Sequence, residues 1–166
     1  MTAKTLQDLF VHELSDIYSA EKQLTKALPK LAGAATNRKL SDAFRMHLEE
    51  TQGQIERIDQ VVEACDIKLK RMKCAAMEGL VEEGKEVIEE IAKGPVLDAA
   101  LIAAAQKAEH YEISSYGTLC TFARRLGFKD AEKLLHQTLQ EEKTTDQKLT
   151  QLAESESNLE AQQQAG

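Results

Sequence analysis

The chain has 166 residues, enough for one domain with a sizeable core and too few for a second. Aromatic residues make up 4%, tryptophan is absent and Ala, Leu, Glu, Lys and Gln dominate, so local propensity favours helix from end to end and no stretch alternates as a strand. A net charge of −7 and a pI near 5.2 argue against a nucleic-acid or anionic-membrane partner, since either requires a basic face to displace counterions.

In chain order, Thr5 followed by Asp8 has the spacing of a capping box, and the helical pattern behind it runs to about Ala35 with Pro29 inside it. That proline removes one backbone donor and predicts a kink or local loosening. Thr36-Asn37 supplies a break and an N-cap for a second long helix, from about Arg38 to Cys65. The segment 66–94 reads as a crossover with its own short amphipathic helix, Ala75 to Ile91, preceded by the basic run Lys68, Lys70, Arg71, Lys73. Pro95 suits the first turn of the third long helix, which runs to Leu126, and Gly127 suits its left-handed cap. A fourth helix runs from about Lys129 to Ala153, and the tail 154–166, with few apolar anchors, is expected to fray. The domain is therefore 1–153. The N-terminus has no apolar run of signal-peptide length, and no segment approaches the ~20 apolar residues of a membrane span. Cys65, Cys74 and Cys120 match neither a zinc motif nor a redox pair and read as reduced thiols of a cytosolic protein.

The helical stripes carry acids where apolar residues belong. Phe10, Leu14, Ile17, Leu24, Leu28, Leu31 steps by threes and fours with Glu21 as its missing tooth, and Glu112 fills the same gap between Ala108 and Ser115. Glu50 stands among Phe44, His47, Gln54 and Ile58, and Glu141 among Leu134, Thr138, Thr145 and Leu149. Adding 91 to a residue number maps Glu21 onto Glu112, Glu50 onto Glu141, Leu28 onto Leu119 and Ile58 onto Leu149, so two similar hairpins are expected to bring four carboxylates together at mid-height of a four-helix bundle.

Each buried ion costs several kcal/mol to desolvate, so four without a counter-charge would exceed the roughly 5–15 kcal/mol by which a domain is stable. A pair of metal ions between the helices removes the objection. His47 and Glu109 lie one turn from Glu50 and Glu112 and could complete the site. Oxygen ligands with at most one imidazole suit iron or manganese better than copper or structural zinc. The blander alternatives are rim glutamates that reach solvent and a His47 that only orients a neighbouring acid. Glu142 is expected to point away and pair with a basic neighbour, while Asp16 and Asp98 read as surface acids and Tyr111 and Tyr116 as packing residues.

The segments DIYSAEKQLTKALPKLA, HLEETQGQIERID, DAALIAAAQKAEHYEISSYGTL and LQEEKTTDQKLTQLA resemble the YciE/YciF family of bacterial stress proteins, within the ferritin-like superfamily. The resemblance covers the chain to about Ala153. It implies an all-α, ferritin-like four-helix bundle of two antiparallel hairpins with an extra crossover helix, a homodimer, a cytoplasmic location and a role in stress. Ferritins carry Glu-x-x-His on two helices, whereas here Gly53 and Thr144 stand where the imidazoles would be. The site is then harder and more acidic, which favours manganese or weaker iron binding, with His47 and Glu109 as substitute ligands. Three readings follow: a dinuclear iron or manganese protein with redox chemistry toward dioxygen or peroxide, a non-enzymatic bundle that acts through protein partners and keeps its acids as a remnant, or, third, simple metal sequestration.

Overall fold

The computed structural model describes residues 2–164. Five helices follow one another: α1 (Leu6–Ala34), α2 (Arg38–Cys65), α3 (Ala75–Glu90), α4 (Pro95–Leu126) and α5 (Lys129–Leu152). The chain then passes through a π-helical turn, Ala153–Ser157, into the short α6 (Asn158–Gln163). Among the described residues there is no strand, and no helix is long and apolar enough to cross a membrane.

The helix limits have local causes. Thr5 and Asp8 form the capping box of α1, with the Thr5 hydroxyl accepting from the Asp8 amide at 3.0 Å and Asp8 accepting from the Thr5 amide at 3.1 Å. The Asn37 side chain caps α2, Pro95 opens α4, and Gly127 closes α4 at φ 74°, a conformation that glycine adopts without strain. Helix α1 continues through Pro29 to Ala34.

Helices α1 and α2 form one hairpin and α4 and α5 the other. Contacts between α1 and α4 and between α2 and α5 close the ring, and α3 lies outside the α1/α4 seam. The core is a ladder of aliphatic side chains with Phe10, Phe44 and Tyr116, all buried. At roughly 1.5–3 kcal/mol for each large side chain fully buried, this ladder holds the four long helices together.

The crossover is pinned from α1: the Ser15 hydroxyl accepts from the Lys70 amide at 2.8 Å, Ser19 accepts from the Cys74 amide at 2.9 Å, and Gln23 donates to the Cys74 carbonyl at 3.0 Å. Two expectations are corrected. The chain does not lose its helical course after Ala153, because Ser157 is buried and Glu156 bonds Asn37 and Lys39 across the bundle end. Residues 165–166 of that expected frayed tail lie outside the described residues. Asp98 is no surface acid either: it is buried and accepts from the Thr36 amide at 2.7 Å, the Asn37 amide at 2.9 Å and the Thr36 hydroxyl, tying the α1–α2 turn to the first turn of α4.

Candidate metal centre

At mid-height of the bundle the inward stripes of four helices present polar groups. Helix α1 contributes Glu21, α2 His47, α4 Glu109 and Glu112, and α5 Glu142, and the four glutamates have no accessible surface while His47 keeps 3%. His47, Glu109, Glu112 and Glu142 each offer a ligand atom, and these atoms lie within 4.8 Å of one another, close enough to hold a metal ion. Glu21 adjoins this set through Glu112, and its other oxygen accepts the Tyr116 hydroxyl hydrogen bond.

Both oxygens of Glu109, Glu112 and Glu142, one of Glu21 and both ring nitrogens of His47 lack a hydrogen-bond partner. His47 Nδ1 lies 3.0 Å from Glu109, yet the direction of approach is wrong for a hydrogen bond. Nor is this an ion pair, because burial pushes both groups toward their neutral forms: the imidazole falls to about 4, and Glu109 rises to about 8. Burial lifts Glu21 to about 7 and carries Glu112 and Glu142 well above the ordinary carboxylate range, with neighbouring carboxylates adding to the rise. Glu21 faces Glu112 and Glu109 faces Glu142, so each carboxyl pair is satisfied only by a shared proton or a cation.

Of the six residues singled out in the sequence, Glu21, His47, Glu109 and Glu112 lie in this buried cluster, and Glu50 and Glu141 lie beside it. Glu50 is half-buried and accepts the Thr145 hydroxyl at 2.9 Å. Glu141 keeps 29% of its side chain exposed and accepts two hydrogen bonds from Arg57, at 2.8 and 2.9 Å, and one from Gln54 at 3.2 Å. The expectation that Glu141 turns inward and Glu142 pairs with a base is thus reversed. The internal repeat nevertheless persists in three dimensions. Thr145 is Gln54 plus 91, and each bonds the flanking glutamate of the opposite hairpin.

A sequence signal for the inward set exists. Glu21 lies midway between Leu14 and Leu28, Glu112 between Ala105 and Leu119, Glu109 between Ile102 and Tyr116, and His47 between Leu40 and Gln54, seven residues from a buried neighbour on each side. Glu142 lies so between Leu135 and Leu149, while Glu50 and Glu141 do not obey the rule. Seven residues is close to two full turns, so the middle position shares the face of its anchors. Tyr116 is more than packing, since it hydrogen-bonds Glu21, and Tyr111 donates to Asp16. The Tyr18 ring carries the Lys22 ammonium 4.6 Å from its centroid. His110 faces outward, as its position suggests, and meets Asp146 at 3.2 Å.

Comparison with known proteins sets this arrangement in context. The profile of a family described as "Domain of unknown function (DUF892)" matches residues 5–162. Protein YciF of Escherichia coli (strain K12) is 64% identical over 166 residues, covering 99% of this chain and 100% of that protein. The crystal structure of the E. coli stress protein YciF superposes with a TM-score of 0.91 at 66% identity, covering 94% of this chain and 99% of that one. YcfI from Rhodopseudomonas palustris gives a TM-score of 0.85 at 50% identity over 89% of this chain and 94% of its own. A protein of Xanthomonas campestris pv. campestris, 20% identical, shares the fold with a TM-score of 0.78, covering 98% of this chain and 100% of that one.

Proposed function

The chain belongs to the DUF892 family, and from that premise we propose that its buried carboxylate cluster is a dinuclear iron or manganese centre serving redox chemistry with dioxygen or peroxide under stress. The observation that carries the reading is the set of convergent, buried carboxylate oxygens without hydrogen-bond donors, which among the described residues no Lys or Arg answers. Burying carboxylates in this way is tolerable only if protons or cations neutralise them.

The donor set fits. Two divalent ions carry four positive charges, which balance the carboxylates of Glu21, Glu109, Glu112 and Glu142, and hard oxygen donors with the His47 imidazole suit iron and manganese. When bound, such a pair supplies the electron transfers that reduce dioxygen or peroxide. The chain's own residues do the rest. The four glutamates and His47 would hold the ions, the Tyr116 hydroxyl fixes the orientation of Glu21, and Leu28, Ile102 and Leu119 are buried in the same core. His47 is neutral at physiological pH because of its burial, which leaves a lone pair free for a metal. Glu50 and Glu141 stay at the flanks, each held by a hydrogen bond from the opposite hairpin.

The test is oxygen uptake after ferrous ion is added anaerobically to the purified protein and air is admitted. Oxidation faster than in buffer, lost in Glu112→Ala, supports the proposal. Oxidation at the buffer rate rejects iron-dependent redox chemistry, and the same assay with manganese and peroxide decides the manganese version.

A further inference from the structure

A cavity of about 630 Å³ opens between α3 and the α1/α4 seam, within the roughly 300–1,000 Å³ of small-molecule sites. Its walls are Leu24, Leu31, Met77, Val81, Ile88 and Ala105, and His47 stands at its inner end. Lys26 and Lys30, exposed and one helical turn apart on α1, line its mouth. A second cleft of about 460 Å³ adjoins it, sharing Gln23 and Lys26 and lined by Lys22, Lys70 and Arg71.

On a chain of net charge −7 these five cations line two adjoining clefts, and none is neutralised. Among the described residues none has a carboxylate within ion-pair distance. The acids of the cavity rim are already answered: Glu78 pairs with Lys73, and Glu82 and Glu89 lie 3.6 and 3.9 Å from Lys85. The basic run of the crossover, which the sequence leaves without a purpose, is thereby brought beside the free lysines of α1 by the Ser15 and Ser19 hydrogen bonds.

We propose that this cavity binds a long-chain carboxylate as a single molecule, with the hydrocarbon tail among its apolar walls and the carboxylate at Lys26 and Lys30 on its rim. An apolar slot that ends in unpaired cations matches an anionic amphiphile in both of its parts. Neither a neutral hydrocarbon nor a short acid satisfies both. Of the residues of the carboxylate centre the cavity touches His47 alone, at its inner end, and the ligand's own carboxylate lies at the opposite, outer end.

The experiment is isothermal titration of the full-length protein with dodecanoate below its micelle concentration, alongside acetate and dodecyltrimethylammonium. Saturable one-site binding is expected for dodecanoate alone, weakened by added salt. In the double variant Lys26→Glu/Lys30→Glu, affinity falls about tenfold, as reversing two exposed charges predicts. Val81→Trp, which fills the cavity from α3, abolishes binding while circular dichroism shows the helices intact. Should that variant fail to fold, the surface lysine variant decides alone. No saturable binding of dodecanoate, equal binding of dodecyltrimethylammonium, or an unchanged affinity in the lysine variant overturns the proposal. Capture by phosphatidylglycerol vesicles without any binding of the monomer also overturns it, and shows the rim to be a membrane-facing patch.

Discussion

Replacing Glu142 by methionine, which has similar length and no charge, should make the metal-free protein more stable and the metal-loaded protein less so. Glu142 has no accessible surface, neither oxygen has a hydrogen-bond donor, and its pKa is raised by burial and by Glu109. A buried polar group left without a partner costs about 1–3 kcal/mol, and a methionine in the same space does not pay it. For a domain of this length each kcal/mol moves Tm by about 2–4 °C, so Glu142→Met in chelator should melt about 2–12 °C above wild type. With manganese the order inverts. A ligand at a hundred times its Kd stabilises the native state by about 2.7 kcal/mol, and the variant forfeits most of that. Thermal melts in chelator and in manganese, for both proteins, give four numbers and one crossing. A variant that melts below wild type in chelator would show that the glutamate is stabilising by itself and would refute the reasoning.

Glu141→Met, one residue away, should behave oppositely: it loses the Arg57 pair and costs about 1 kcal/mol, measured in urea, while the response to manganese is unchanged. Stability of the metal-free protein should fall as pH rises. Glu21 at about 7 and Glu109 at about 8 hold protons in the folded state that the unfolded chain releases near 4.5, so unfolding gains favour from there up to about pH 8. His47, depressed to about 4, works the other way below the unfolded value of 6.5. His47 offsets only one of the two acids, so the loss begins below pH 6.5, is steepest between pH 6.5 and 7, amounts to a few kcal/mol by pH 8, and should vanish in saturating manganese when followed by urea denaturation. Asp98→Ala strands the Thr36 and Asn37 amides and should cost about 3 kcal/mol, a Tm loss on the order of 10 °C by calorimetry, with metal binding retained.

Much of the fold is written in spacing. The capping box at Thr5, the Asn37 cap, Pro95 and Gly127 each act through one or two neighbouring residues, and such local rules survive folding. The 91-residue repeat also survives, because two hairpins of equal stagger bury equivalent stripes. Phe44, His47, Thr51, Gln54 and Ile58 match Leu135, Thr138, Glu142, Thr145 and Leu149, and all ten are buried.

The centre was legible only in part. Between Thr138 and Thr145 a helix offers two fillings for one gap, residues 141 and 142, about 100° apart around the axis. Similarity to Glu50 favours the first, while the seven-residue step from Leu135 and Leu149 selects the second, and packing obeys the step. Asp98 was unreadable for a different reason. Its partners are 61 and 62 residues away in sequence, so nothing near it marks the bonds it accepts. The clustering of the α1 lysines with the crossover cations is likewise a product of tertiary structure, set by two serine hydroxyls.

The most direct test of the account is anomalous diffraction from crystals grown with manganese. Two peaks lying among Glu21, His47, Glu109, Glu112 and Glu142 are predicted, both absent in Glu142→Met crystals. Peaks confined to the flanking Glu50 or Glu141, or none in the bundle interior at saturating manganese, would contradict it.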